Sequence, residues 1–204
     1  MTQAVTRGRP AATTHDEIER AAFALFTVHG FESTTLEMIA AELGVARRTV
    51  TRYYPSKNDI PWGQFDATLK KFADVLARMP ADVPLWQRVH RGVVAFNTFP
   101  DSAAPSHQDR MRLILQTPAL QAHSVLRYGQ WRAVIAKYVA ADTGVRAEAL
   151  LPQLAGHVSL ALAVSAYEQW LVSDGSQGML LDLLDQAMSE LQTLLQQPRQ
   201  GAAR

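Results

Sequence analysis

TTLEMIAAELGVARRTVTRYYPSK, residues Thr34 to Lys57, reads as two short helices joined by a tight turn, then a Pro-Ser-Lys step into a third. Leu43, Gly44 and Val45 form the turn, and Gly44 is free to take the positive φ that such a reversal needs. The helix before the turn is acidic, with Glu37 and Glu42, whereas the stretch after it carries Arg47, Arg48, Arg52 and Lys57 and no acid before Asp59. At ~100° per residue, Arg47, Arg48, Thr51 and Arg52 share one side of the third helix. Val50 and Tyr54 lie across from Arg48 and Arg52 and are available to the core. A cationic face on an apolar-backed second helix is the layout of a helix-turn-helix whose second helix enters the major groove of DNA.

The side-chain chemistry agrees. A guanidinium is shaped for bidentate contact with guanine O6 and N7, and a threonine can hydrogen-bond a base or touch a thymine methyl. Phosphate contacts are expected at the edges, from Lys57 at a helix start, Thr35 at the start of the second helix, and Tyr53 beside the reading face. The candidate DNA contacts are therefore Thr35, Arg47, Arg48, Thr49, Thr51, Arg52, Tyr53 and Lys57. Arg7-Gly8-Arg9-Pro10 adds a basic arm suited to a narrow minor groove, or a plain solubilising tail.

Working outward, residues 1–12 read as a disordered arm. Thr14 with Glu17 makes a capping box, and Ile18, Ala21, Ala22, Leu25, Phe26 and His29 follow at helical spacing until Gly30. In the second helix Met38, Ile39 and Leu43 are the inward residues. Ser56 and Asp59 open a long fourth helix with a bend at Pro61 and one apolar seam, Trp62, Phe65, Leu69, Phe72, Leu76 and Met79. Met79–Pro84, MPADVP, is a break and a domain boundary. Helices follow at about 85–98, 106–116, 118–141, 147–173 and 178–196. No strand-like alternation survives, so the fold class is all-α. By role, residues 13–56 are the three-helix DNA-binding domain and 57–198 the effector-binding and dimerisation domain.

Composition narrows the function. The chain has 204 residues, 48% hydrophobic, with a net charge of +1, so any polyanion signal has to be local. The absence of cysteine rules out disulfides and thiolate chemistry. None of the common zinc-protease, P-loop, dinucleotide or nucleophile-elbow motifs occurs, and the six histidines are scattered; no enzymatic role, metal or cofactor is expected. The uncharged run between Glu148 and Glu168 contains Pro152, Gln153, Gly156 and His157 without flanking cationic clusters, which favours a buried helix over a membrane span. With no secretory leader pattern, the expected location is the cytoplasm.

From Ile18 to about Trp62, the Phe31–Thr35 entry, IAAELGV and RRTVTRYYPSK resemble the TetR family of one-component repressors. That resemblance implies nine helices, a homodimer held by the last two, an inverted-repeat operator and a small hydrophobic effector. Ala46 and Arg48 depart from the family's frequent Ser and Gly, which implies an operator of non-standard sequence. A longer set, including RRTVTRYYPSKNDIPWGQFD, ADVPLWQRV, VVAFN, RMRLIL, PALQAHSVLRYGQWRAVIA and SAYEQWL, resembles the regulators found with mycofactocin biosynthesis. The suggested effectors of such regulators are long-chain acyl-CoA thioesters, with an unrelated lipophilic compound as the alternative.

The residues support the dimer independently. The last two helices carry too many leucines for a monomer's rim, and Ala161, Ala163, Ser165 and Ala166 permit close approach of a partner. Candidate ligand contacts are Met111, Leu115, Leu120, His123, Arg127, Trp131, His157 and Tyr167. Arg112, His123, Arg127 and Arg132 are available for a carboxylate or phosphate.

Overall fold

The computed structural model describes residues 13–99, 103–173 and 175–196. Among them are nine α-helices and no strand: α1 His15–His29, α2 Leu36–Glu42, α3 Arg47–Tyr53, α4 Phe65–Ala77, α5 Leu85–Phe96, α6 His107–Gln116, α7 Pro118–Thr143, α8 Leu150–Ser173 and α9 Gln177–Gln196. Caps that the sequence offers are used. The Thr14 hydroxyl accepts from Glu17 N at 3.2 Å while Thr14 N donates to the Glu17 carboxylate at 2.8 Å. The Thr35 hydroxyl accepts from Met38 N, and Gly44 takes φ 65° between α2 and α3.

The chain forms two compact units, one of residues up to Gln64 with Ala104–Ser106, the other the remainder. The division thus falls after Gln64, beyond the boundary expected at residue 56. Lys57–Trp62 is a 3-10 helix of the first unit, where Ile60 is fully buried. The expected continuous fourth helix is broken because Pro61 lacks an N–H and Gly63 takes φ 56° before α4 begins. Met79–Pro84 is a loop within the second unit, because the Phe72 and Leu76 side chains of α4 share the core with Val89 and Val93 of α5.

In the first unit Ile18, Ala22, Phe23 and Phe26 of α1 meet Leu36, Ile39 and Ala40 of α2 and Val50 of α3. Met38 and Leu43 are only half-buried, and His29 is exposed; Leu36 and Ala40 take the inward places on α2 instead. The second unit is built on α7, which packs along α8, with α8 in turn against α9. Its core joins Phe72, Leu76, Val89, Val93, Trp131, Ile135, Val139, Tyr167, Trp170, Leu180, Leu184 and Met188. Buried Arg88 ties α5 to the end of α7, donating to Asp142 at 2.8 Å and the Tyr138 hydroxyl at 3.0 Å. By length and composition α8 could cross a membrane, but Gly156, Ser159, Ala163, Tyr167 and Trp170 are buried inside the unit.

A chain of polar groups runs through this core. The Tyr167 hydroxyl donates to Asn97 Oδ1 at 2.5 Å and lies 2.6 Å from His107 Nε2. Because the hydroxyl proton goes to Asn97, the imidazole is the donor on its Nε2 side. Asn97 is closed by its Nδ2 on Val93 O and by Gln177 Nε2 on its own carbonyl, both at 2.7 Å. His107 stacks on Phe99 at 3.8 Å between centroids. Burial, with the nearby Arg110 charge second, holds its pKa down at about 3.

Candidate nucleic-acid interface

The third helix is fastened by its back. Val50 is fully buried and Tyr54 almost so, and the Tyr54 hydroxyl donates to the buried Glu19 carboxylate of α1. Burying a valine contributes about 1.5–3 kcal/mol, enough to fix the rotation of so short a helix. That rotation leaves Arg47, Arg48 and Arg52 exposed, with Thr49 and Thr51 half-buried between them. Thr51 Oγ1 donates back to Arg48 O at 3.2 Å. Arg52 lies over the Tyr53 ring, 5.4 Å from its centroid. Arg48 makes no ion pair among the described residues. Arg47 does, with its Nε 2.8 Å from Glu37 Oε1 on α2. Thr35 is exposed, and its hydroxyl is occupied by its capping bond.

Two candidates sit differently from expectation. The Lys57 ammonium donates to the carbonyls of Phe31, Glu32 and Thr34 at 2.6, 3.1 and 2.9 Å, and lies 4.4 Å from the Phe31 ring centroid. All three of its donors are engaged. Lys57 is a clamp on the α1–α2 loop rather than an open phosphate ligand. The Tyr53 hydroxyl likewise donates to Thr13 O, with His15 edge-on to the ring, so the phenol anchors the start of α1. Lys57→Met is expected to lower stability by about 1–3 kcal/mol in urea denaturation. The slope of log affinity against log salt should stay unchanged; a slope flatter by about one unit would restore the phosphate contact. The basic arm at Arg7–Pro10 lies outside the described residues.

Of the candidate ligand residues, Leu120, Trp131 and Tyr167 are buried in the second unit. Met111 and Leu115 pack partly on its core, and His123 is half-buried. Trp131 stacks on Phe72 at 5.5 Å. Arg127 is half-buried and committed to Asp66 at 3.7 Å and to the Phe65 ring at 5.6 Å. His157 departs from the expectation: it is exposed on α8, where its Nδ1 lies 2.7 Å from Arg132 Nη1. The interior groups that the sequence did not reveal are Asn97 and His107, which only meet Tyr167 across 70 and 60 residues. In the interface the residue passed over is Glu37, whose only signal was its sign.

The all-α fold with its N-terminal helix-turn-helix agrees with comparison to known proteins. Residues 18–60 match the family of bacterial regulatory proteins of the tetR type, and residues 83–196 match the MftR C-terminal domain. The chain belongs to the TetR family of DNA-binding transcriptional regulators, and its members are not enzymes. It is 43% identical, over 80% of its length and 83% of the relative's, to the mycofactocin biosynthesis transcriptional regulator MftR of Mycobacterium tuberculosis. Among solved structures, FadR of Thermus thermophilus, a repressor in complex with lauroyl-CoA, aligns with TM-score 0.55 and 20% identity over 94% of this chain and 99% of that one. SmeT, repressor of a multidrug efflux pump of Stenotrophomonas maltophilia, aligns with TM-score 0.56 and 19% identity over 89% and 92%. SmeT is also known in complex with triclosan. At these identities the structures testify to the fold.

Proposed function

We propose that this regulator is a cytoplasmic homodimeric repressor that binds an inverted-repeat operator through α3 and is released by a long-chain acyl-CoA. The observation that carries the DNA reading is the exposed Arg47, Arg48 and Arg52 on a helix whose Val50 and Tyr54 are buried. Arg48 and Arg52 with Thr51 supply base contacts, Arg47 a bidentate guanine contact, and Thr35 and Thr49 the flanks.

Dimerisation through α8 and α9 is supported by a groove of about 570 Å³ lined by Leu162, Ser165, Ala166, Gln169, Leu183, Gln186, Ala187, Glu190, Leu191 and Thr193. It is supported too by Leu150, Leu154 and Val172, which are 82%, 52% and 88% exposed on α8. A second copy is the partner whose apolar surface matches, since a two-fold contact sets one patch against itself. A pair of copies carries two reading helices, and an inverted repeat with half-sites one turn of duplex apart, or a multiple of it, is the operator that such a pair reads.

The effector reading rests on the apolar interior around Met111, Leu115, Leu120, Trp131 and Tyr167 and on the bound lauroyl-CoA of the FadR repressor. An effector shifts the equilibrium only by its preference for one spacing of the readers. The test is a mobility shift on the DNA upstream of the protein's own reading frame, with palmitoyl-CoA or free CoA added. Palmitoyl-CoA should weaken binding about tenfold or more, a coupling of ~1.4 kcal/mol, and free CoA should not. Release by triclosan but not by palmitoyl-CoA would favour the second reading, a regulator answering to an unrelated lipophilic compound, for which the triclosan complex of SmeT speaks.

A further inference from the structure

Glu37 sits in the first turn of α2, and its carboxylate reaches the first residue of α3. Both side chains are largely exposed, 61% for Glu37 and 60% for Arg47, so the pair adds little to folding. An acid beside a surface that meets phosphates opposes general DNA affinity. Its position therefore calls for a reason, and the atoms supply one. The carboxylate takes the Nε–H of Arg47 and leaves the two terminal nitrogens at the far end of the fork. Those are the donors that a bidentate contact with guanine O6 and N7 uses.

We infer that Glu37 is a positioning residue for Arg47: it holds the guanidinium by its inner edge so that the outer edge reads guanine. The inference rests on the DNA reading proposed above. Two consequences follow from the charge and the tether. The Arg47–Glu37 pair is neutral as a unit, so it draws less on any phosphate it meets. The long arginine stem is ordered before DNA arrives, so less rotamer freedom is lost in the specific complex. Glu37 thus exchanges sequence-independent affinity for discrimination at one base of each half-site.

The experiment is selection from a randomised duplex pool with the wild type, Glu37→Ala, Arg47→Ala and the double variant, followed by fluorescence polarisation on the enriched and on an unrelated duplex. Arg47→Ala identifies the base pair that Arg47 reads. At that position Glu37→Ala, which removes the acceptor as well as the charge, is expected to reduce the guanine preference about fivefold to tenfold, a share of the worth of one bidentate pair. Preferences elsewhere should stay as in the wild type, while affinity for the unrelated duplex rises about threefold, as expected for one uncovered cation. In the Arg47→Ala background Glu37→Ala should leave the base profile unchanged. A Glu37→Ala profile identical to the wild type, or one altered equally at every position, would overturn the inference. A wild type that enriches no sequence would instead contradict the DNA reading itself. Thermal unfolding of each variant checks that these exposed changes leave the fold intact.

Discussion

Ser165→Arg is expected to split the regulator into monomers and to weaken operator binding by about a hundredfold or more. Ser165 is exposed on α8 and lines the groove between α8 and α9, so an arginine there costs the isolated subunit little. In the proposed dimer that groove faces the partner's copy of the same patch, because a two-fold contact sets one surface patch against itself. Each subunit then brings one charged, long side chain to that contact in place of a hydroxymethyl group. Losing the second reader removes the intramolecular advantage of a linked half-site, about 10²–10⁴ in affinity. Sedimentation at micromolar concentration together with operator polarisation reads both effects. A dimeric Ser165→Arg protein with wild-type affinity would place the subunit contact elsewhere.

Between pH 8 and pH 4 the second unit is expected to lose about 3 kcal/mol of stability through His107 alone. The folded environment lowers the imidazole pKa from 6.5 to about 3, chiefly by burial. Between those values the unfolded chain binds a proton that the folded chain refuses. The unfolded state therefore holds more protons, and stability rises with pH across that window and falls as the pH drops below 6.5. Above pH 6.5 both states are neutral at this site and the contribution is constant. His107→Gln keeps an N–H donor for the Tyr167 hydroxyl but does not titrate. Urea denaturation of the two proteins at several pH values should give a steeper acid loss for the wild type. Equal slopes would mean that His107 is open to solvent, contrary to its stacking on Phe99 and its 2.6 Å contact with Tyr167.

How much of this was legible without coordinates follows from the range of the forces involved. The capping box at Thr14, the Gly44 turn and Pro118 at the start of α7 are local signals, and each helix start or turn lies where they point. The buried back of α3 was readable from the angular separation of Val50 and Tyr54 from Arg48 and Arg52. The role of Lys57 was not readable, because it depends on carbonyls 23 to 26 residues earlier in the chain. The broken fourth helix was half-readable: Pro61 announced a bend, but the decisive positive φ falls two residues later at Gly63. Helix α8 is apolar on nearly all sides, so its pattern does not say which face turns inward. That is why the exposed His157 stood among the interior candidates, and why a polar core built from Asn97, His107 and Tyr167 passed unnoticed.

Operator recognition as proposed requires α3 to lie in the major groove as one half of a symmetric pair. Methylation interference on the operator reads this directly, since it marks guanine N7, a major-groove atom, and adenine N3, a minor-groove one. Guanines should interfere at matching positions on opposite strands, in half-sites whose centres are about 10 base pairs apart or a whole multiple of that, and the interference should vanish in Arg48→Ala at the bases that this side chain contacts. Interference confined to adenines, or to a single site without its symmetric mate, would contradict it.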